Sequence, residues 1–193
     1  MNTPIKLTIA RIIATPLFMA ALMIEFPFHY TVALILFIAA SLTDMIDGKM
    51  ARKYNMITDF GKFLDPLADK MLTTAAFLGF IKMGIGWQVT WIAFMVLFRE
   101  FLISSLRLVV VSSGGKVIAA NMWGKCKTVS QMAGIIFALF AYVLISDFGL
   151  NNALFVSVCN IIISILFWAS AVLCIISGVI YLNDSKEYID PSK

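Results

Sequence analysis

The chain has 193 residues, of which 61% are hydrophobic and 13% are charged, and its formal net charge is +4. Soluble domains contain about 45–50% apolar and about 25% charged residues, so this composition excludes a soluble globular protein, a disordered chain and a small disulfide scaffold. An integral membrane protein remains. Its apolar runs are continuous rather than alternating, which favours helices over a β-barrel. The modest positive charge indicates contact with anionic lipid and phosphate groups rather than nucleic acid.

Hydropathy predicts an all-α, polytopic membrane protein whose six helices form one bundle. The first helix is interpreted as a retained span rather than a removed signal peptide. We expect a single catalytic domain over residues 1–182 and a short polar tail over residues 183–193. In chain order the predicted spans are about 7–23, 31–43 with a polar extension toward 52, 60–83, 87–111, 129–145 and 153–182.

Basic residues concentrate on one side of this six-span layout, at the start of the chain and in two of the loops. The opposite loops carry little positive charge. The positive-inside rule therefore predicts that both termini and the two basic loops face the cytoplasm. The basic residues on that side are Lys6, Arg11, Lys49, Arg52, Lys53, Lys62, Lys116, Lys125 and Lys127.

Five of the 11 acidic residues fall within 26 positions. Asp44 and Asp47 end the second span at i, i+3 spacing, and Asp65 and Asp69 begin the third at i, i+4 spacing, so each pair lies on one helix face. The short connection makes the two helices antiparallel neighbours whose pairs can face each other. Carboxylates held that close repel unless cations lie among them, and oxygen-only ligands suit Mg²⁺ or Mn²⁺. The alternative, an ordinary polar helix end, is favoured only for Asp59, which we interpret as a helix cap.

Small and basic residues accompany the acidic pairs. Gly48 and Gly61 leave room for a ligand to approach the backbone. Ala51 is also small, and Arg52 carries a guanidinium fork suited to phosphate oxygens. Taken singly, Gly48, Gly61 and Ala51 are explained by close helix packing as well as by ligand binding. Arg52 alone is explained by an orientation charge as well as by phosphate binding.

Taken together, the acidic, small and basic positions resemble the signature of the CDP-alcohol phosphatidyltransferase family at every fixed position. The resemblance implies a six-helix membrane enzyme, usually dimeric, with two divalent cations at a site on the cytoplasmic side. It also implies transfer of a phosphatidyl group from CDP-diacylglycerol to an alcohol, with release of CMP. The pattern is Asp44-x-x-Asp47-Gly48-x-x-Ala51-Arg52, then eight residues, then Gly61-x-x-x-Asp65-x-x-x-Asp69.

The resemblance also implies a role for each of these positions. Asp44, Asp47, Asp65 and Asp69 are expected to bind the cations, Mg²⁺ or Mn²⁺, and Asp69 is expected to act as general base on the acceptor hydroxyl. The positions implied for CDP-diacylglycerol are Asp47, Gly48, Ala51, Arg52 and Gly61, with Thr8 and Thr58 as weaker candidates.

Basic residues outside this pattern are candidates for the acceptor. Arg107, Lys125 and Lys127 lie on the same side as the acidic site, where they could hold an anionic acceptor. For each lysine alone, membrane orientation or binding of a lipid headgroup is as good an explanation as binding of the acceptor. Arg99 and Glu100 are adjacent in the fourth span, and we expect them to point to different faces, not to pair with each other, and to need partners elsewhere.

Three further stretches resemble the bacterial members of the family that make phosphatidylglycerophosphate, which implies sn-glycerol 3-phosphate as acceptor and a bacterial cell membrane as location. The alternatives within the family use phosphatidylglycerol, serine or an inositol phosphate. A protein of another class, an ion or proton transporter, also carries aspartates in its helices. The clustering of the acidic residues at one end of the predicted bundle and the lack of a sequence repeat argue against a transporter. The stretches are Met1-Asn2-x-Pro4-x-x-Leu7-Thr8-x-x-Arg11, Arg99-Glu100 with Ser105-Leu106-Arg107, and Gly124-Lys125-x-Lys127-Thr128-x-x-Gln131.

Overall fold

The computed structural model describes residues 3–53, 59–85, 88–112 and 122–186, without the side chains of 3, 4, 45, 47–53, 59–63, 65, 66 and 69. Within these residues the structure is helical and contains no β-strand, which confirms the all-α prediction. The helices are α1 (Thr3–Met23), α2 (His29–Lys53), α3 (Asp59–Lys82), α4 (Gln88–Ser112), α5 (Met122–Tyr142) and α6 (Ala153–Asp184), and a π-helical turn, Val143–Asp147, follows α5.

Each observed helix contains the main part of one predicted span. The polar extension of the second span is helical as far as Lys53, and α3 begins at Asp59. The largest difference is in α5, which begins at Met122 rather than near 129. The additional residues include two lysines, whose charge lowers hydropathy without opposing helix formation.

Three helical stretches of the described chain are long and apolar enough to cross a membrane: Ile5–Met23, Met122–Asp147 and Ala153–Asp184. A shorter apolar stretch, His29–Asp44, belongs to α2. Charged side chains interrupt the other two helices: α3 contains six Asp and Lys residues, and α4 contains Arg99, Glu100 and Arg107. The chain therefore has the helices of a membrane protein, while membrane crossing by α2, α3 and α4 stays a prediction.

The chain forms two compact units, each built from two separate stretches. Residues 1–86 and 135–160 make the first unit, and residues 87–134 and 161–193 make the second. Helices α5 and α6 therefore each contribute to both units. The predicted single catalytic domain over residues 1–182 stays a prediction.

In the first unit, α1 packs against both α2 and α3. The buried rings of Phe18 and Phe37 join α1 to α2, with centroids 5.5 Å apart. A Cβ atom at Gly79 of α3 would overlap the side chain of Leu22, so the glycine lets α1 and α3 approach closely. Small residues of this kind matter in a membrane protein because helix association in lipid depends on close packing.

The start of α2 is capped by a distant side chain. Asp147, the last residue of the π-helical turn, accepts hydrogen bonds from the backbone N–H and the hydroxyl of Thr31, both at 2.7 Å. The first N–H groups of a helix have no partner inside the helix, so an acceptor here stabilises α2.

In the second unit, α4, the first part of α5 and most of α6 come together. Gln88 of α4 donates a hydrogen bond to Ser164 of α6 at 2.8 Å. A Cβ atom at Gly134 of α5 would lie 2.9 Å from the ring of Phe167, so this glycine makes room for an aromatic side chain of α6. These contacts hold α4 and α5 against α6 within the second unit.

Candidate functional site

The first aspartate of the acidic motif is held by a buried arginine of α1. The Nη1 atom of Arg11 lies 2.5 Å from Oδ1 of Asp44. The Arg11 side chain is 1% exposed, whereas that of Asp44 is 46% exposed. Because a buried charge is costly unless it is paired, this ion pair explains how α1 accommodates Arg11 in its interior face.

Sequence reasoning missed this partner, because it treated Arg11 as a charge that orients the chain in the membrane and as part of the N-terminal stretch that resembles bacterial relatives. Thr8, Arg11 and Thr15 follow one another at i, i+3 and i+7, and all three are buried. A polar stripe inside an otherwise apolar helix indicates an interior-facing surface. That stripe was the available signal that Arg11 needs an acidic partner.

For the other three aspartates of the motif, the structure describes the helix that carries each residue but not its side chain. Asp47 lies in α2, and Asp65 and Asp69 lie in α3, so both pairs belong to helices that pack against α1. That the two pairs face each other stays a prediction. Among the side chains that the structure describes, no group of three or more His, Cys, Asp or Glu forms a possible metal site.

The residues predicted to bind the nucleotide are also described only in part. Thr8 is buried in α1, one turn before Arg11. Thr58 lies outside the described residues. The helices that carry the other predicted positions are described without those side chains, so their contacts with CDP-diacylglycerol stay predictions; these positions are Gly48, Ala51 and Arg52 in α2 and Gly61 in α3.

The chemistry of the acidic motif fits a divalent cation. Four aspartates supply only oxygen donors, which Mg²⁺ and Mn²⁺ prefer. Asp44, the one whose side chain is described, is about half exposed and therefore open to a ligand. The donor set is thus suited to hard cations.

A cavity of about 160 Å³ lies within the second unit, between side chains of α4, α5 and α6. It is several times larger than the share of about 30 Å³ that one water molecule occupies in the liquid, so a small polar molecule fits. Its charged lining residues are Arg99, Glu100, Arg107 and Lys127, and Thr128, Ser177 and Tyr181 contribute hydroxyl groups.

A network of charged side chains forms one wall of this cavity. Oε1 of Glu100 accepts hydrogen bonds from Arg99 at 2.8 Å and from Lys127 at 2.7 Å. Arg99 also donates to the Ser177 hydroxyl at 3.0 Å. The expectation that Arg99 and Glu100 do not pair is therefore wrong. The long Arg99 stem carries its guanidinium around the helix, and pairing costs less than leaving each charge alone.

The structure places two of the three predicted acceptor residues at the cavity. Arg107 and Lys127 both line the cavity. Lys125 is exposed and does not belong to the lining that the structure describes, so its role stays a prediction. Tyr181, which sequence reasoning did not single out, also lines the cavity, and its buried hydroxyl has no hydrogen-bond partner within the described chain.

The cavity carries a clear excess of positive charge. Its lining contains three cationic side chains, Arg99, Arg107 and Lys127, and one carboxylate, Glu100. With both signs counted, two net positive charges remain. An anion of similar charge is therefore the ligand that this wall favours.

Comparison with known proteins identifies the class of protein. The model of the CDP-alcohol phosphatidyltransferase family matches residues 1–176. The chain belongs to this family.

Individual relatives are similar over nearly their whole length. The CDP-diacylglycerol–glycerol-3-phosphate 3-phosphatidyltransferase of Bacillus subtilis is 35% identical, over 99% of this chain and 98% of its own. The protein of the same name from Rickettsia bellii is 38% identical, over 97% of both chains. That of Haemophilus influenzae is 34% identical, over 96% of this chain and 94% of its own.

Proposed function

We propose that the chain transfers the phosphatidyl group of CDP-diacylglycerol to sn-glycerol 3-phosphate, giving phosphatidylglycerophosphate and CMP. The observation that carries the choice of acceptor is the cavity in which Arg107 and Lys127 come together with two net positive charges. A phosphate monoester carries about −1.5 to −2 charges at pH 7. The names of the relatives support the same reaction.

The other acceptors of the family fit this cavity less well. Serine has no phosphate to match the positive wall. Phosphatidylglycerol carries a single negative charge on a phosphodiester, which matches two net positive charges less well than a phosphate monoester does. An inositol phosphate has the right charge but a six-membered ring, and the three-carbon acceptor suits the small volume better.

The acidic motif supplies the chemistry of transfer in this proposal. Asp44, Asp47, Asp65 and Asp69 would hold two divalent cations, Mg²⁺ or Mn²⁺, which would supply positive charge to offset the negative charge of the donor's diphosphate. Asp69 accepts the proton of the acceptor's primary hydroxyl. The new bond joins that hydroxyl oxygen to the β-phosphorus, and the bond from this phosphorus to the CMP oxygen breaks. The residues proposed to hold the donor are Thr8, Asp47, Gly48, Ala51, Arg52, Thr58 and Gly61.

The membrane arrangement belongs to the same proposal. Six spans would place both termini and the active site on the cytoplasmic side of a bacterial cell membrane, and two copies would form a homodimer with its acyl-chain openings in lipid. The one-sided distribution of basic residues supports the orientation. The family resemblance supports the dimer.

A competition between acceptors tests the proposed function. The purified chain, reconstituted in vesicles with CDP-diacylglycerol and Mg²⁺, is offered glycerol 3-phosphate, phosphatidylglycerol, serine and an inositol phosphate in turn. CMP release is measured, and the lipid product is identified by mass spectrometry. We expect product only with glycerol 3-phosphate. Product with another alcohol would reassign the acceptor, and the absence of CMP release with all four would contradict the transferase assignment and favour a transporter.

A further inference from the structure

The ion pair between Arg11 and Asp44 is strongly asymmetric. Arg11 is the largest of the fully buried side chains in the described part of the protein, yet its partner carboxylate is 46% exposed. A cation arriving from solvent can therefore reach Asp44, whereas the guanidinium behind it remains fixed inside the first unit.

We propose that Arg11 is a built-in counter-charge of the acidic motif, which stabilises the protein before divalent cations bind and weakens their binding. Arg11 is then a positioning residue, because it acts through Asp44 and does not itself hold a cation. This inference rests on the proposed function, since it assumes that Asp44 belongs to a cation site.

Electrostatics gives the sign of the effect. Without cations, the carboxylates of the motif repel one another, and a fixed positive charge beside Asp44 offsets part of that repulsion. When a divalent cation binds at Asp44, the same positive charge repels it. This coupling is reciprocal. The free energy by which Arg11 weakens cation binding equals the free energy by which a bound cation reduces the stabilisation that Arg11 gives to the protein.

Two other roles for Arg11 make different predictions. If Arg11 only orients the Asp44 carboxylate for the cation, its removal should weaken cation binding by about 10–100-fold, as for other partners of metal ligands. If Arg11 only joins α1 to α2, its removal should destabilise the protein equally with and without cations. A counter-charge instead predicts that cation binding becomes tighter.

The test is a Mn²⁺ titration of the full-length chain in detergent, without CDP-diacylglycerol, in which electron paramagnetic resonance measures free Mn²⁺. Arg11→Gln removes the charge but keeps a hydrogen-bond donor for Asp44, and we expect its Mn²⁺ affinity to rise about tenfold. Arg11→Lys keeps the charge and should stay within about twofold of wild type. Arg11→Met replaces the glutamine variant if the latter does not fold.

Two variants of α1 provide matched controls. Lys6→Met removes an equal charge from an exposed position of the same helix. Thr15→Val alters the buried stripe one turn beyond Arg11 without changing charge. Both should bind Mn²⁺ within about twofold of wild type, because neither residue pairs with Asp44.

Thermal unfolding gives a second readout. Without cations, Arg11→Gln should melt at a lower temperature than wild type, and saturating Mn²⁺ should raise its melting temperature by more than it raises that of wild type. Unchanged or weaker Mn²⁺ binding in this variant would overturn the inference and leave the transferase proposal standing. A wild-type chain that binds no Mn²⁺, even with CDP-diacylglycerol present, would overturn both the inference and the metal site.

Discussion

Two lysines of α5 lie close together in sequence but have different surroundings. Lys127 is buried against Glu100 at the cavity, whereas Lys125 is exposed. Loss of a charged hydrogen bond costs about 1.5–3 kcal/mol, so Lys127→Met should raise the KM for glycerol 3-phosphate about tenfold or more, with little change in the KM for CDP-diacylglycerol. Steady-state kinetics with each substrate varied in turn measures this split.

Lys125→Met is the informative companion of that variant, since it removes the same charge from the same helix. Because Lys125 does not line the cavity, we expect less than about a twofold change in the KM for the acceptor. An equal effect of the two substitutions would return Lys125 to the acceptor site and argue that the cavity is not where the phosphate binds.

Asp69 is the residue on which turnover should depend most steeply. Asp69→Asn removes the proposed base, and general bases typically contribute about 10²–10⁴-fold to rate. We therefore expect kcat to fall by about that factor while the melting temperature stays close to wild type. Asp59→Asn is the matched control, since Asp59 lies outside the fixed positions of the motif and Asn caps helices as well as Asp. Wild-type kcat in Asp69→Asn would remove Asp69 from the mechanism.

The cap on α2 can be tested at the level of the helix. Asp147→Ala removes the acceptor for both the backbone N–H and the hydroxyl of Thr31. Losing such a cap costs about 0.5–2 kcal/mol, so the melting temperature should fall, and Asp147→Asn, which keeps a neutral acceptor, should lose less. Equal stability of the alanine variant and wild type would show that the cap contributes nothing.

The helices were largely predictable from the sequence because long apolar runs specify them. The helix boundaries were less predictable, because hydropathy measures the preference of a segment for lipid and not its preference for the helical conformation. The helix α5 therefore includes Lys125 and Lys127 and begins at Met122. The ion pair of Arg11 with Asp44 was not predicted either, because it joins side chains of different helices. Only the buried polar stripe on α1 hinted that Arg11 faces the interior.

Removal of divalent cations tests the protein as a whole. We expect EDTA to abolish CMP release, because the diphosphate would meet four carboxylates with no cation between them. Excess Mg²⁺ or Mn²⁺ should restore it. The measurement is CMP release in vesicles before and after chelation, with circular dichroism as a check that the helices persist. Full activity in chelator would contradict the metal-dependent mechanism.

The two candidate sites differ in how far the sequence could predict them. The acidic motif is local, since its eight fixed positions fall on two consecutive helices, and spacing alone made it recognisable. The cavity is lined by side chains of three helices, α4, α5 and α6, and among its lining residues only Arg107 and Lys127 were identified as acceptor candidates. The parts played by Glu100, Ser177 and Tyr181 depend on tertiary contacts that no spacing rule contains.

The hydrogen bonds between Thr31 and Asp147 join residues 116 positions apart. Ribosomes add about 5–20 residues per second, so roughly 6–23 s separate the synthesis of these two partners. During that interval the first turn of α2 lacks its acceptor, and the first unit also lacks residues 135–160. A nascent chain arrested before α5 should therefore leave this unit incomplete, and we expect the synthesis of residues 135–160 to be the step at which the unit becomes resistant to proteolysis.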